Sequence, residues 1–151
     1  RRAMTDARQA ASRRAVLFGA TAIGLCAVWT RTADAEEATL TPDAALAKVQ
    51  SGEILLIDVR TPDEWARTGL PEGGTALDMR RDDFTQALLA LAEGQTDRPI
   101  ALICASGGRS GHMTRELSRA GFTRIIDVPE GMLGSRAGPG WLERGLPVTQ
   151  P

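Results

Sequence analysis

The sequence predicts an α/β fold in which a mostly parallel sheet is built through crossover helices. From residue 38 onward, short apolar runs alternate with segments of helical periodicity, which is typical of parallel strands joined by helices. The two strongest runs, residues 54–57 and 99–103, lack polar alternation, as expected of strands that are buried on both faces. With 151 residues, the chain is long enough to bury the core of one such domain.

Helix caps delimit the elements of the first half. Thr41-Pro42 and Thr61-Pro62 each place an N-cap residue before a proline at the first helical position. An acidic first turn follows the second pair and complements the helix dipole. The expected elements are a short strand at 38–40, a helix at 42–49, a strand at 54–57, a short helix at 62–67 and a weak strand at 75–77.

Apolar spacing predicts two helices in the second half. One begins at Asp82 and Asp83 and places three side chains on a shared face: Phe84, Leu88 and Leu91. The other is closed by Gly121 and directs three side chains inward: Met113, Leu117 and Ala120. The remaining expected elements are a strand at 99–103, a helix at 109–120, a strand at 125–128 and a glycine-rich closing segment at 131–148 with one helical turn around Trp141–Arg144.

Residues 1–35 are expected to be an export signal. Arg13 and Arg14 precede an apolar stretch at 15–29, and Ala33-Asp34-Ala35 fits an A-x-A cleavage site. The apolar stretch has 15 residues, fewer than the roughly 20 that a membrane-spanning helix needs. The run S-R-R-A-V-L resembles the twin-arginine motif, so the export machinery is an expected partner and the periplasm the expected location. A general secretory signal and an uncleaved membrane anchor are the alternatives.

Charge and cysteine content restrict the function of the remaining domain, residues 36–151. Residues 1–35 hold six arginines and two aspartates, so 12 basic and 17 acidic residues give the domain a net charge of −5. An acidic domain does not favour binding to nucleic acid. Cleavage after Ala35 would remove Cys26 and leave Cys104 as the only thiol, which in an oxidising compartment is either buried and inert or reactive.

The loop at Cys104 favours a reactive thiol. Cys104 stands at the carboxyl end of a predicted strand, where open α/β sheets bind ligands. The small residues that follow, Ala105 to Gly108, allow the backbone to direct successive N–H groups at one point, and the next helix adds its N-terminal dipole. Such an environment, with Arg109 nearby, stabilises a thiolate or a persulfide. The alternative is a cysteine that serves as a small buried hydrophobe.

Three motifs resemble the rhodaneses, the thiosulfate sulfurtransferases and their relatives. The pattern Cys-x-x-Gly-x-Arg-Ser, here residues 104–110, is similar to the active-site loop of that family. Residues 58–71 closely match a second signature of the family, which begins D-V-R-x-x-x-E-aromatic, and residues 145–148 resemble its usual ending. The family's Gly-Gly-x-x-x-Trp is expanded here to E-G-M-L-G-S-R-A-G-P-G-W, in a region expected to shape access to the cysteine.

The resemblance implies a rhodanese-like domain over 36–151, with an open parallel sheet flanked by helices on both faces. It implies a sulfurtransferase in which Cys104 takes the outer sulfur of an anionic donor such as thiosulfate. The Cys104 persulfide, held by N–H groups of residues 105–110, then passes its sulfur to cyanide or a thiol. No cofactor is expected, and one histidine with one cysteine does not form a metal site at known spacings.

The resemblance also assigns residues to the site: Ala105, Ser106, Gly107, Gly108, Arg109 and Ser110 as the loop, with Asp58, Arg60 and Glu64 in support. Arg109 would orient the donor or, alternatively, brace the loop through a salt bridge. Ser106 and Ser110 would bond to the sulfur or, as we favour, cap the helix.

The supporting residues are expected to form an ion-pair network, with a substrate-facing Arg60 as the alternative. His112 is expected to face solvent rather than to complete a Cys-His pair, because the loop itself activates the thiol. Trp65 and Trp141 are expected to anchor the core or the loops.

Two other functions are compatible with the fold. Phosphatases and arsenate reductases place five residues between cysteine and arginine, enough to surround a tetrahedral anion. Here four residues separate Cys104 from Arg109, which fits a sulfur atom and favours sulfur transfer. The second alternative is a non-catalytic carrier that holds the persulfide for a partner protein, acting as sulfur donor or acceptor.

Overall fold

The computed structural model of the chain describes residues 38–151, and the predicted export signal lies outside them. The strands are β1 (Ala38–Thr39), β2 (Leu55–Asp58), β3 (Leu70–Pro71), β4 (Gly74–Ala76), β5 (Ile100–Ile103), β6 (Ile125–Asp127) and β7 (Val148–Thr149). The helices are α1 (Pro42–Gln50), α2 (Pro62–Thr68), α3 (Phe84–Leu91), α4 (Gly108–Arg119) and α5 (Gly140–Glu143).

Five of these strands form a parallel sheet in the order β1-β6-β5-β2-β4. Asp58 is in register with Ile103 of β5 on one side and with Ala76 of β4 on the other. The carboxyl ends of β4, β2 and β5 therefore lie side by side. Cys104 directly follows β5, the central strand of the sheet.

Helices cover both faces of the sheet, as predicted. Successive side chains of a strand point to opposite faces, so neighbours such as Leu56 and Ile57 contribute to different cores. On one face, Ile57 belongs to a cluster with Leu88 of α3 and Leu117 of α4. On the other face, Leu56 belongs to a cluster with Ala45 of α1 and with Trp141 of α5, whose indole Nε1 donates to Pro147 O at 2.9 Å. Trp141 is thus the anchor that the sequence predicted.

The predicted caps begin α1 and α2. Thr41 Oγ1 accepts from the N–H of Ala44 at 3.3 Å, and Thr61 and Glu64 form a capping box at the start of α2. Leu91, expected to share the inner face of α3, is exposed, and the neighbouring Ala92 is buried instead.

The predicted inward face of α4 is partly wrong. Leu117 is buried and Met113 half-buried, but Ala120 is exposed because the helix ends at Arg119. Ser110, Gly111 and Thr114 are buried in its place, so small residues bring this helix close to the sheet.

A second, two-stranded sheet was not predicted. β3 and β7 pair antiparallel, with Leu70 opposite Thr149 and Pro71 opposite Val148. This pairing fixes the end of the described chain beside the turn that follows α2. Within residues 38–151, no helix combines the length and the apolar character needed to cross a membrane.

Candidate active site

Cys104 lies at the carboxyl end of the central strand with its side chain only 1% exposed. It belongs to the apolar cluster between the sheet and helices α3 and α4, and it forms no disulfide within the described residues. Burial removes the sulfur from bulk water. A charged sulfur here would therefore depend on the polar groups of residues 104–110, the cysteine loop.

The cysteine loop supplies a run of unused backbone donors. Hydrogen bonds among residues 38–151 use none of the N–H groups of residues 105–110, which we call the N–H cradle. The first bonded N–H after Cys104 belongs to Gly111, which donates to Gly107 O at 3.0 Å. Gly107 turns the chain into α4 with φ 82°, a left-handed conformation that suits glycine. Six free donors and the positive end of a 12-residue helix can thus stabilise an anion beside the cysteine.

Arg109 is bound by the carboxylate of Glu64. Its Nη1 donates to Oε2 at 2.8 Å and its Nη2 to Oε1 at 2.5 Å, in the bidentate geometry of strong ion pairs. This hydrogen bond holds the pKa of Glu64 at about 2. The same hydrogen bond raises the pKa of Arg109, and the negative charge of a Cys104 thiolate raises it further. Arg109 therefore braces the cysteine loop against α2 while keeping 35% of its side chain exposed.

Asp58 and Arg60 form a separate, fully buried pair. Arg60 Nε donates to both carboxylate oxygens of Asp58 at 2.9 Å, and its Nη2 donates to Oδ2 at 2.7 Å. At the end of α2, its Nη1 donates to Thr68 Oγ1 and its Nη2 donates also to Gly69 O, each at 2.7 Å. The expected three-residue network is thus two pairs, and Arg60, 1% exposed, joins β2 to α2 rather than facing solvent.

The two serines of the loop differ in position. Ser106 is exposed, whereas Ser110 is buried and its Oγ donates to Gly107 O at 3.1 Å. The N-cap of α4 is Gly107, so Ser110 stabilises the first turn from inside the helix instead of capping it. His112 is exposed on α4, in agreement with its predicted position. In the described part of the chain, no three His, Cys, Asp or Glu side chains are grouped to hold a metal ion.

A segment after β6, residues 129–133, packs against the backbone of the cysteine loop, and we call it the backing segment. Met132 N donates to Cys104 O and Leu133 N donates to Ala105 O, both at 2.8 Å. Two glycines permit this approach. A Cβ on Gly107 would lie 2.2 Å from Pro129 O, and one on Gly131 would lie 2.5 Å from Ala105 O.

Contact between the backing segment and the cysteine loop was not predicted. The glycine-rich region was expected only to shape access to the cysteine. The available signal was Gly131, a glycine three residues after the predicted strand at 125–128, since a glycine permits two backbones to approach closely.

Comparison with known proteins places the same region in a family. Residues 41–136 match the rhodanese-like domain. A protein named sulfurtransferase from Allochromatium vinosum is 28% identical over 99 residues, which cover 66% of this chain and 81% of that protein. An uncharacterized protein from Rickettsia prowazekii is 24% identical over 106 residues, which cover 66% of this chain and 85% of that protein.

Solved structures of sulfurtransferases resemble the fold of this chain. The polysulfide-sulfur transferase homodimer from Wolinella succinogenes is 30% identical, with a TM-score of 0.59 over 76% of this chain and 80% of that one. The thiosulfate sulfurtransferase from Pseudomonas aeruginosa shares the fold at 20% identity, with a TM-score of 0.59 over 75% of this chain and 20% of that one. The family match over residues 41–136 contains β2, β4, β5 and β6 of the parallel sheet and the whole cysteine loop.

Proposed function

The chain belongs to the rhodanese-like sulfurtransferase family, and from that membership we propose that Cys104 carries a sulfane sulfur from a small anionic donor to a thiophilic acceptor. The observation that carries the proposal is the N–H cradle, six unused backbone donors that follow the cysteine and open a helix. Such donors stabilise both a thiolate and the anionic end of a persulfide. Thiosulfate is the proposed donor, and cyanide or a thiol the proposed acceptor.

The cycle has two displacement steps. In the first, the Cys104 thiolate attacks the outer sulfur of thiosulfate, the sulfur–sulfur bond of the donor breaks, and its electron pair leaves on sulfite. Cys104 then bears a persulfide, Cys–S–S⁻, whose terminal charge lies within the loop. In the second, cyanide attacks the terminal sulfur and leaves as thiocyanate, which returns the thiolate. A thiolate acceptor would leave as a persulfide in the same way.

The size of the loop supports sulfur transfer over transfer of a tetrahedral oxyanion. Four residues separate Cys104 from Arg109, and the guanidinium nitrogens Nη1 and Nη2 of Arg109 are bound to Glu64. An arginine tethered in this way braces the loop and is not free to turn both nitrogens towards a phosphate. The pairing favours the bracing role of Arg109 over the donor-orienting one.

A carrier that exchanges its persulfide with a partner protein is the second candidate. Leu133 favours it, because this side chain is 57% exposed while its backbone N–H contacts Ala105 of the cysteine loop. An exposed apolar side chain beside a reactive loop suits contact with another protein. The proposed setting for either role is the periplasm, reached through the export signal.

Steady-state assays of thiosulfate-to-cyanide transfer test the enzyme proposal. Wild type should form thiocyanate with multiple turnovers, and Cys104→Ser should lose the activity while keeping the same circular dichroism spectrum. Retained activity in Cys104→Ser would refute a role for this thiol. A wild type that ignores thiosulfate but accepts persulfide sulfur from a protein donor would support the carrier.

A further inference from the structure

We infer that Glu130 is a positioning residue for the cysteine loop and that it acts through the backing segment. The inference rests on the proposed function for its catalytic consequence. Its contacts, by contrast, are independent of which sulfur compound is transferred. They form a continuous path from a buried carboxylate to the two peptide groups that follow Cys104.

The first step of the path lies between the backing segment and the cysteine loop. Met132 and Leu133 donate to the carbonyls of Cys104 and Ala105. In a planar trans peptide, the carbonyl and the N–H of the same unit point in opposite directions. Fixing these two carbonyls therefore directs the N–H groups of Ala105 and Ser106 away from the backing segment. The backing segment thereby sets the orientation of the first two donors of the N–H cradle.

The second step is the attachment of the backing segment on its other side. Trp141 N donates to Gly131 O at 2.9 Å, and Leu142 N donates to Met132 O at 3.0 Å. The segment is thus held between the cysteine loop and α5. Its position depends on whether α5 stays in place.

Glu130 fixes α5 relative to the backing segment. Its side chain is 5% exposed and accepts from Arg144 Nε and Nη2, both at 2.8 Å, and from Gly140 N at 3.1 Å. Arg144 also donates to Asp43 of α1 through Nη1. Gly138 packs so tightly that a Cβ there would lie 2.5 Å from the carboxyl carbon of Glu130. The hydrogen bond from Arg144 lowers the pKa of Glu130, which favours the charged form of this buried carboxylate.

Two variants test the inference. Glu130→Gln keeps the shape of the side chain but removes its charge, and Arg144→Lys keeps the charge but removes the guanidinium that donates twice. We expect either variant to slow alkylation of Cys104 by iodoacetamide by about tenfold, because displaced donors no longer stabilise the thiolate. The rate is followed by mass spectrometry on the Cys104 peptide of the full chain. In the sulfur-transfer assay, kcat should fall by a similar factor while the KM for thiosulfate stays within about twofold.

Two control variants separate positioning from stability. Phe122→Leu removes buried packing just after the carboxyl end of α4, the opposite end of this helix from the cysteine loop, so it should lower the melting temperature without changing the alkylation rate. Glu116→Gln removes an exposed pair with Arg119 on α4 and should change neither. If Glu130→Gln does not fold, Arg144→Lys carries the test alone.

Unchanged alkylation in a folded Glu130→Gln variant, or an equal loss in Phe122→Leu, would overturn the positioning role. A different result would refute the proposed function: wild-type Cys104 reacts with iodoacetamide, but the protein transfers no sulfur. The two failures are therefore distinguishable.

Discussion

Arg109 and Glu64 join the cysteine loop to the first turn of α2, with two hydrogen bonds between residues 45 positions apart. Glu64 also takes part in the capping box of α2, because its Oε2 accepts from the backbone N–H and the hydroxyl of Thr61. A residue that caps one helix thus also fixes the start of another.

The Glu64–Arg109 pair should make stability depend on pH. The pKa of Glu64 is about 2 in the folded protein, below its ordinary value of 4.5, chiefly because Arg109 donates to the carboxylate. A depressed pKa contributes stability above the ordinary value, which is lost as the pH falls from about 4.5 to about 2. For a partly exposed pair we expect a contribution of about 1 kcal/mol.

The measurement is the free energy of unfolding in urea at several pH values between these limits. The free energy of unfolding of Glu64→Gln should depend less steeply on pH than that of wild type. Part of the slope should remain, because arginines also lower the pKa values of Asp78 and Glu130. Identical slopes in the two proteins would contradict the assignment.

A double-mutant cycle distinguishes the bracing role of Arg109 from a donor-orienting one. Because Nη1 and Nη2 are bound to Glu64, we expect Arg109→Gln and Glu64→Gln to lower kcat by similar factors. The double variant should be no worse than either single variant, since residues in direct contact are not additive. An Arg109→Gln variant that raises the KM for thiosulfate far more than Glu64→Gln would show that Arg109 binds the donor instead.

The Asp58–Arg60 pair should be essential for folding stability. Arg60→Met would leave the buried carboxylate of Asp58 without its partner, and breaking such a pair costs about 3–5 kcal/mol. Arg98→Gln is the matched control, since Arg98 pairs with Glu93 at the surface and should cost no more than about 1 kcal/mol. The urea midpoints of the two variants measure these losses of stability. A loss in Arg60→Met as small as that in Arg98→Gln would rule out the structural role of Arg60.

Local signals predicted most of the fold. The parallel sheet follows from continuous apolar runs, and the starts of α1 and α2 follow from Thr-Pro caps, because both are properties of neighbouring residues. The same reasoning failed for Ala120 and for the β3–β7 pairing. Ala120 is exposed because α4 ends one residue earlier, and a two-residue antiparallel pair has no pattern of its own.

The cysteine loop could be recognised in the sequence, but the residues that contact it from distant parts of the chain could not. Cys104 and its run of small residues form a contiguous motif, so their proximity required no knowledge of the fold. The pairing of Arg109 with Glu64 and the support of Glu130 by Arg144 join distant parts of the chain. Charged residues are numerous, and only the packing of α2, α4 and α5 decides which of them meet.

We propose that residues 1–35 direct export through the twin-arginine route. Replacing Arg13 and Arg14 together by lysine should leave the precursor in the cytoplasm, because that pathway reads the paired guanidinium groups. Cell fractionation with an antibody to the domain measures the effect. Normal export of the double variant would point to the general secretory route.

The intact mass of the protein after incubation with thiosulfate tests most directly whether Cys104 carries a persulfide. We expect an added mass of one sulfur atom, located on the Cys104 peptide and removed by cyanide with release of thiocyanate. Cys104→Ser should show no such adduct on that peptide. A wild-type protein that stays unmodified under these conditions, with Cys104 reduced and the fold intact, would contradict thiosulfate as the donor.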